Sequence, residues 1–249
     1  MKVLALETSS LVASVALVED RILLGESILK HKKKSLSREL VFMIRDMLDG
    51  LEVRAGDIDL FAVSKGPGSF TGLRIGVTTA KAMAYALDKP IIGVPTLDAL
   101  AYNVPTCEHI ICPVMDARNN QVYTALYQWS SNIGHRCRQR LSGYMGLKIE
   151  ELVGNIRAMV DKTGQKVIFT GDGIIPYGDY FTKELGDKCA FTPYGLMFQR
   201  ASSVAEIALD LFLEGKQDDC FSLVPFYLRK SQAERMRESE ETRLESRNS

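Results

Sequence analysis

Histidine and tryptophan are almost missing from this sequence. Its 249 residues include three histidines (His31, His109 and His135) and one tryptophan. No histidines stand at HxxxH or HExxH spacing, so a metallopeptidase site lacks its ligands. A Ser-His-Asp triad is left open by composition, but the GxSxG elbow that would present its serine is absent. The five cysteines, Cys107, Cys112, Cys137, Cys189 and Cys220, are scattered and form no CxxC pair. That argues against a disulfide framework or structural zinc and for idle thiols in a reducing cytosol. No apolar run approaches the ~20 residues needed to cross a bilayer. The opening Met1–Ser10 lacks the long apolar region and small-residue cleavage site of a signal peptide, so a cytoplasmic, membrane-free protein is expected. Excess charge is missing too. Thirty-one basic and 31 acidic residues balance, which leaves no global field to draw nucleic acid.

What remains is an ordinary globular composition, 46% hydrophobic and 25% charged, long enough for one large or two small domains. The most informative stretch is Gly66-Pro67-Gly68-Ser69-Phe70-Thr71-Gly72-Leu73-Arg74-Ile75-Gly76. It follows an apolar run, Ile58 to Val63, and leads into a helical run to Leu87. Strand, glycine loop and helix together can present backbone N–H groups to an anion. Ser69 or Thr71 could cap the helix, and Arg74 could clamp a phosphate or carboxylate. The loop is not a P-loop, since no lysine follows its second glycine, and it is not GxGxxG. Anion site and purely structural turn both stay open. Beyond the loop Gly72, Gly76, Ala80 and Ala84 recur every four residues. Glycine in a helix costs up to ~1 kcal/mol against alanine, so this bare stripe implies a close contact, inside the domain or across subunits.

The rest of the chain alternates strand and helix. Lys2–Thr8, Ala13–Val18 and Ile22–Leu29 read as strands, the last two joined by the turn Glu19-Asp20-Arg21. Ser37–Leu48 reads as a helix whose apolar face holds Leu40, Met43, Ile44 and Met47. Pro90–Val94 reads as a strand and Leu97–Tyr102 as a short helix. Pro105-Thr106 marks a boundary. Beyond it His109–Met115, Val122–Tyr127 and Lys166–Thr170 read as strands, and Leu147–Val160 and Ser202–Leu213 as helices. The expected division is a first lobe over 1–104, completed by a C-terminal helix at about 200–230, a smaller α/β lobe over 105–199, and a polar tail over 231–249. No internal sequence repeat is apparent. The fold class is mixed α/β.

Three further clusters invite chemistry. Glu7-Thr8-Ser9-Ser10, an acid and hydroxyls after the first strand, fits either a metal–nucleotide site or side-chain turn bonding. Lys30-His31-Lys32-Lys33-Lys34 could touch RNA phosphates or be a solvated loop. Asp116-Ala117-Arg118 and Gly171-Asp172-Gly173 each follow a strand and could meet a nucleotide.

Together these pieces resemble the TsaB (YeaZ) family of tRNA threonylcarbamoyladenosine biosynthesis proteins. Gly66 to Gly76 matches its GPGSFTGLRIG, and Leu4 to Ser9 matches LAIDTS with Glu for Asp. Gly93 to Leu100, Asp116 to Tyr123 and Pro225-Phe226-Tyr227-Leu228-Arg229 resemble its later motifs. Leu36-Ser37 stands where many members have His-Ser. The resemblance implies an actin-like ATPase (ASKHA) fold of two similar α/β lobes. It implies a non-catalytic subunit, without metal or cofactor of its own, that works with TsaD and TsaE and reaches tRNA through the complex. ATP or ADP would sit at the complex interface. The first two helices of the N-terminal lobe would hold TsaD, or a second copy when alone. Leu40, Met43, Ile44, Met47, Gly72, Leu73, Gly76, Ala80 and Ala84 are the expected interface. Glu7, Thr8, Ser9, Ser69, Thr71 and Arg74 are the candidate nucleotide or anion contacts. Glu7, Asp116 and Gly171-Asp172-Gly173 keep an ATP-dependent kinase or ATPase open, and the family's kinship a glycoprotease.

Overall fold

In the computed structural model of the protein, residues 1–30, 36–104, 107–129 and 138–228 are described. The boundary at Pro105-Thr106, most of the basic run after Lys30, and the tail over 231–249 lie outside them.

The first lobe is built on a run of buried aliphatic strands. β1 (Lys2–Glu7) pairs antiparallel with β2 (Val12–Glu19), in register from Lys2 against Glu19 to Glu7 against Ser14. β2 turns into β3 (Ile22–Lys30) through Asp20 and Arg21, both at positive φ, the two-residue geometry that suits a twisted hairpin. After helix α1 (Leu36–Gly50) the chain enters β4 (Leu60–Gly66), parallel to β1. Helix α2 (Phe70–Ala86) then leads to β5 (Ile91–Pro95), parallel to β4. The sheet order is β3-β2-β1-β4-β5. β1 and β2 are apolar at nearly every position because both faces are covered. Ala13, Val15 and Leu17 face α1 and α2, whereas Ala16 and Val18 face the late helix α6 (Ala201–Leu213). Short helix α3 (Thr96–Tyr102) follows β5 directly.

The second lobe repeats this plan. β6 (Ile110–Arg118) pairs antiparallel with β7 (Gln121–Thr124). The small pair β8 (Tyr127–Trp129) and β9 (Arg138–Arg140) flanks β6, and β10 (Met145–Lys148) pairs with β7. Helix α4 (Ile149–Thr163), strand β11 (Val167–Thr170), helix α5 (Ile174–Leu185) and strand β12 (Cys189–Phe191) complete it. The order β10-β7-β6-β11-β12 is the same hairpin-then-parallel pattern as in the first sheet. The duplication that no sequence repeat announces is therefore present in the topology.

Several elements differ from the sequence expectation. The run Val122–Tyr127 is two strands, broken at Ala125-Leu126. Leu147 and Lys148 belong to β10, not to the following helix. α5 was not expected. The C-terminal helix ends at Leu213, and the chain to Leu228 runs as a non-helical strap across the first lobe. Its Phe226 N–H donates to the Lys65 carbonyl at 2.6 Å, and Lys81 Nζ donates to the carbonyls of Phe221 and Leu223.

The bare stripe of α2 is used inside the lobe. A Cβ on Gly72 would run into the carbonyl oxygen of Thr8, and one on Gly76 into the Thr8 hydroxyl. Thr8 Oγ1 donates to the Gly72 carbonyl at 2.8 Å, locking α2 against the end of β1. Ala80 and Ala84 continue this face into the core. We expect Gly72→Ala to destabilise folding by about 3 kcal/mol, since the neighbour is backbone and cannot move aside. Gly76→Leu should likewise impair folding itself. Chemical denaturation of each variant measures this, and a variant as stable as the parent would refute the close approach.

Candidate partner interface and the loop site

The glycine loop lies against the turn after β1. The Gly66–Pro67 peptide is cis. Ser69 N–H donates to the Ser9 carbonyl at 2.7 Å, and Ser69 Oγ caps α2 by accepting from the Gly72 N–H at 3.3 Å. Ser9 N–H donates to Glu7 Oε1 at 2.5 Å. The loop thus brings Glu7, Thr8, Ser9 and Ser69 together. Thr71 and Arg74 are exposed instead. The Arg74 guanidinium stacks 3.9 Å over the Phe70 ring, and its Nε donates to Tyr227 Oη at 3.3 Å. Phe70 and Tyr227 are themselves stacked. Arg74 therefore fastens the C-terminal strap to the loop.

Glu7 is fully buried, and burial pushes its carboxyl above the usual range. The nearby Ser9 and Ser64 oppose that shift, but Glu7 Oε2 and both hydroxyls meet no partner in hydrogen-bonding geometry. With the Gly72 N–H already taken by Ser69, the capped helix end is a poorer cradle for an anion. The structural-turn reading of the loop accounts for more of its atoms than the anion reading does.

In the second lobe Asp116 pairs with Arg118, whose N–H it accepts at 2.8 Å. The Asp116 N–H in turn donates to Asp172 Oδ1 at 3.2 Å, and Tyr177 Oη reaches Asp116 at 3.5 Å. Burial, with Asp116 as a like charge nearby, pushes Asp172 up to about 6. The lobes are tied by Asp98 on α3, which accepts from Tyr127 at 2.6 Å and Tyr144 at 3.1 Å. Ser10 donates at 2.6 Å to Gln199, just ahead of α6. Among the described residues no cluster of three or more His, Cys, Asp or Glu could hold a metal. Among them, too, no helix is long and apolar enough to cross a membrane.

The surface of α1 and α2 corrects the expected interface. Leu40, Leu73, Gly72, Gly76, Ala80 and Ala84 are wholly interior and cannot face a partner, because the sheet takes up that side of both helices. Met43 is also core, and with Met47 it lines a small hollow toward β3. Of the set, Ile44, itself only 5% exposed, lines the floor of the outer groove. It lies in a groove of about 950 Å³ between the helices, together with Val41, Arg45 and Leu48 from α1 and Thr78, Ala82 and Met83 from α2. Val41 is 54% exposed and Phe42 44%. Asp49, Glu52 and Arg54 add charge of both signs. Sequence reasoning missed Val41, Thr78 and Ala82. Their signal was a second small-residue pair on α2, Thr78 and Ala82, one turn apart and offset from the glycine stripe.

Two lobes of one repeated strand order, with helices on the sheets, define a protein of the actin-like ATPase fold. The solved YeaZ from Pseudomonas aeruginosa is similar over 91% of this chain and 99% of its own, with a TM-score of 0.74 at 24% identity. A family model described as TsaD, tRNA N6-adenosine threonylcarbamoyltransferase, matches residues 24–236. TsaB of Bacillus subtilis is 32% identical over 234 residues, covering 94% of this chain and 96% of that protein. TsaB of Escherichia coli is 33% identical over 134 residues, 53% of this chain and 57% of its own. The chain belongs to the TsaB family of tRNA threonylcarbamoyladenosine biosynthesis proteins.

Asp172 gives a pH signature. Its folded value of about 6 lies above the ordinary aspartate value of 3.8. Between these values the folded state binds more protons than the unfolded one, so this group's contribution falls as pH rises through about 4 to 6. Asp172→Asn removes the burial penalty of the charge and keeps an acceptor for the Asp116 N–H. Denaturation at a series of pH values should show the variant gaining stability over the parent through that window, up to about 3 kcal/mol above it. A difference independent of pH would refute the assignment.

Proposed function

We propose that this chain is the non-catalytic subunit of the machinery that forms the threonylcarbamoyl group on the adenosine 3′ of the tRNA anticodon. It holds TsaD through the groove between α1 and α2, and TsaE joins the working assembly. The observation that carries this reading is the groove itself, an exposed apolar trough with mixed charge beside it on the paired helices of the first lobe. Such a trough suits the helices of a paralogue, which would pack ridge into groove. The absence of paired histidines from the sequence fits a partner that leaves the chemistry to TsaD. In this reading the subunit needs no cofactor of its own, ATP or ADP is a ligand of the assembled complex, and tRNA is reached through that complex.

The chain alone should transfer no threonylcarbamoyl group, with activity appearing on addition of TsaD and TsaE. Transfer by the isolated chain would overturn the reading. Ala82→Arg places a long cation in the groove at an exposed position. It should weaken TsaD binding at least 100-fold by calorimetry while shifting the thermal midpoint by less than about 2 °C. Undiminished binding would remove the groove from the interface.

A further inference from the structure

We infer that the TsaD-docking surface does not end at the α1–α2 groove. It continues over α2 onto an aromatic shelf made by the C-terminal strap, which receives an apolar side chain of that same partner. The inference rests on the docking reading above. A stable interface needs about 800 Å² of accessible surface on each side, and a surface that runs over both flanks of α2 offers more of it than the groove alone. Thr78 and Ala82 form part of the groove wall and also line a second hollow of about 290 Å³ on the far side of α2. The two depressions therefore share a wall and make one continuous surface.

The second hollow is completed by Lys81, Tyr85, Cys220 and Phe221. Tyr85 is 66% exposed and Phe221 75%, and their rings meet edge to face at 5.4 Å. Val224, further along the strap, is 65% exposed. An aromatic pair on the surface is costly to leave in water and typical of a contact that closes over it. The strap that carries Phe221 is held in place. Lys81 Nζ binds the carbonyls of Phe221 and Leu223 at 3.1 and 2.8 Å, and Asp219 accepts the Phe221 and Ser222 N–H groups at 3.2 and 2.8 Å. With its ammonium engaged by carbonyls, Lys81 leaves the shelf to its rings. The shelf is thus a preorganised apolar seat with room for a leucine, methionine or aromatic side chain from the partner's docking helices.

The test uses the full chain with purified TsaD. Phe221→Ser together with Tyr85→Ser should weaken binding at least ten-fold by calorimetry, with the melting midpoint little changed because both rings are exposed. Independently, N-ethylmaleimide labelling of Cys220 in the parent chain, followed by peptide mass spectrometry, should slow at least five-fold in the complex. Full affinity in the double variant, or unchanged Cys220 labelling, overturns the shelf. If the double variant keeps its affinity while Ala82→Arg abolishes binding, the groove stands and the shelf falls. If Ala82→Arg has no effect, the docking reading itself falls. Loss of self-association on sizing, with TsaD affinity intact, would assign the shelf to a second copy and also overturn the proposal.

Discussion

The backbone of α2 touches the end of β1, and most of the first lobe follows from that contact. Gly72 and Gly76 have no side chain because Thr8 occupies the space where one would stand. The approach fixes where the glycine loop must turn, and hence why Ser69 is spent on capping the helix and answering the Ser9 carbonyl. It also sets which sides of α2 remain outside. With the glycine–alanine side against the sheet, Thr78 and Ala82 line the wall shared by the groove and the shelf. A helix bearing large residues at 72 and 76 would stand off from β1, and the outer surface would be reshaped with it.

The two lobes share one strand order but are not equally equipped. The first buries a carboxyl, Glu7, under the glycine loop. The second keeps two carboxyls, Asp116, which pairs with Arg118, and Asp172, which accepts the Asp116 backbone N–H. The tyrosines that meet Asp98 cross from the second lobe to the first. A duplicated scaffold has thus kept its hydrophobic frame and altered the side chains where the strands end, which is where α/β sheets place their chemistry.

Much of this was legible in the chain itself. The β2–β3 hairpin was readable because Glu19-Asp20-Arg21 interrupts two apolar runs, and α1 because its apolar residues keep helical spacing. α5 was hidden by Pro176 and Gly178, which usually end helices, although a proline in the first turn loses no hydrogen bond. β10 was absorbed into α4 because no glycine, proline or turn residue separates Leu147 from Ile149. The small-residue stripe announced a close approach, but periodicity cannot say whose backbone approaches. That needed the position of Thr8, a residue 64 places from Gly72. Val41 and Ala82 stayed unnoticed for the same reason, since an outward face is defined only once the inward one is known.

The far side of the first sheet has a consequence for how the protein is made. Val3, Ala5, Ala16 and Val18 are covered by α6, which is not complete until Leu213, whereas the sheet itself ends at Pro95. At about 5–20 residues per second of synthesis, the 118 residues between those points (213 minus 95) take roughly 6 to 24 s. Throughout that interval the nascent lobe has one clothed face and one bare one. The bare face presents aliphatic side chains to whatever surrounds the ribosome. The strap arrives later still, so the last part of the described chain to emerge fastens the glycine loop that began the lobe's architecture.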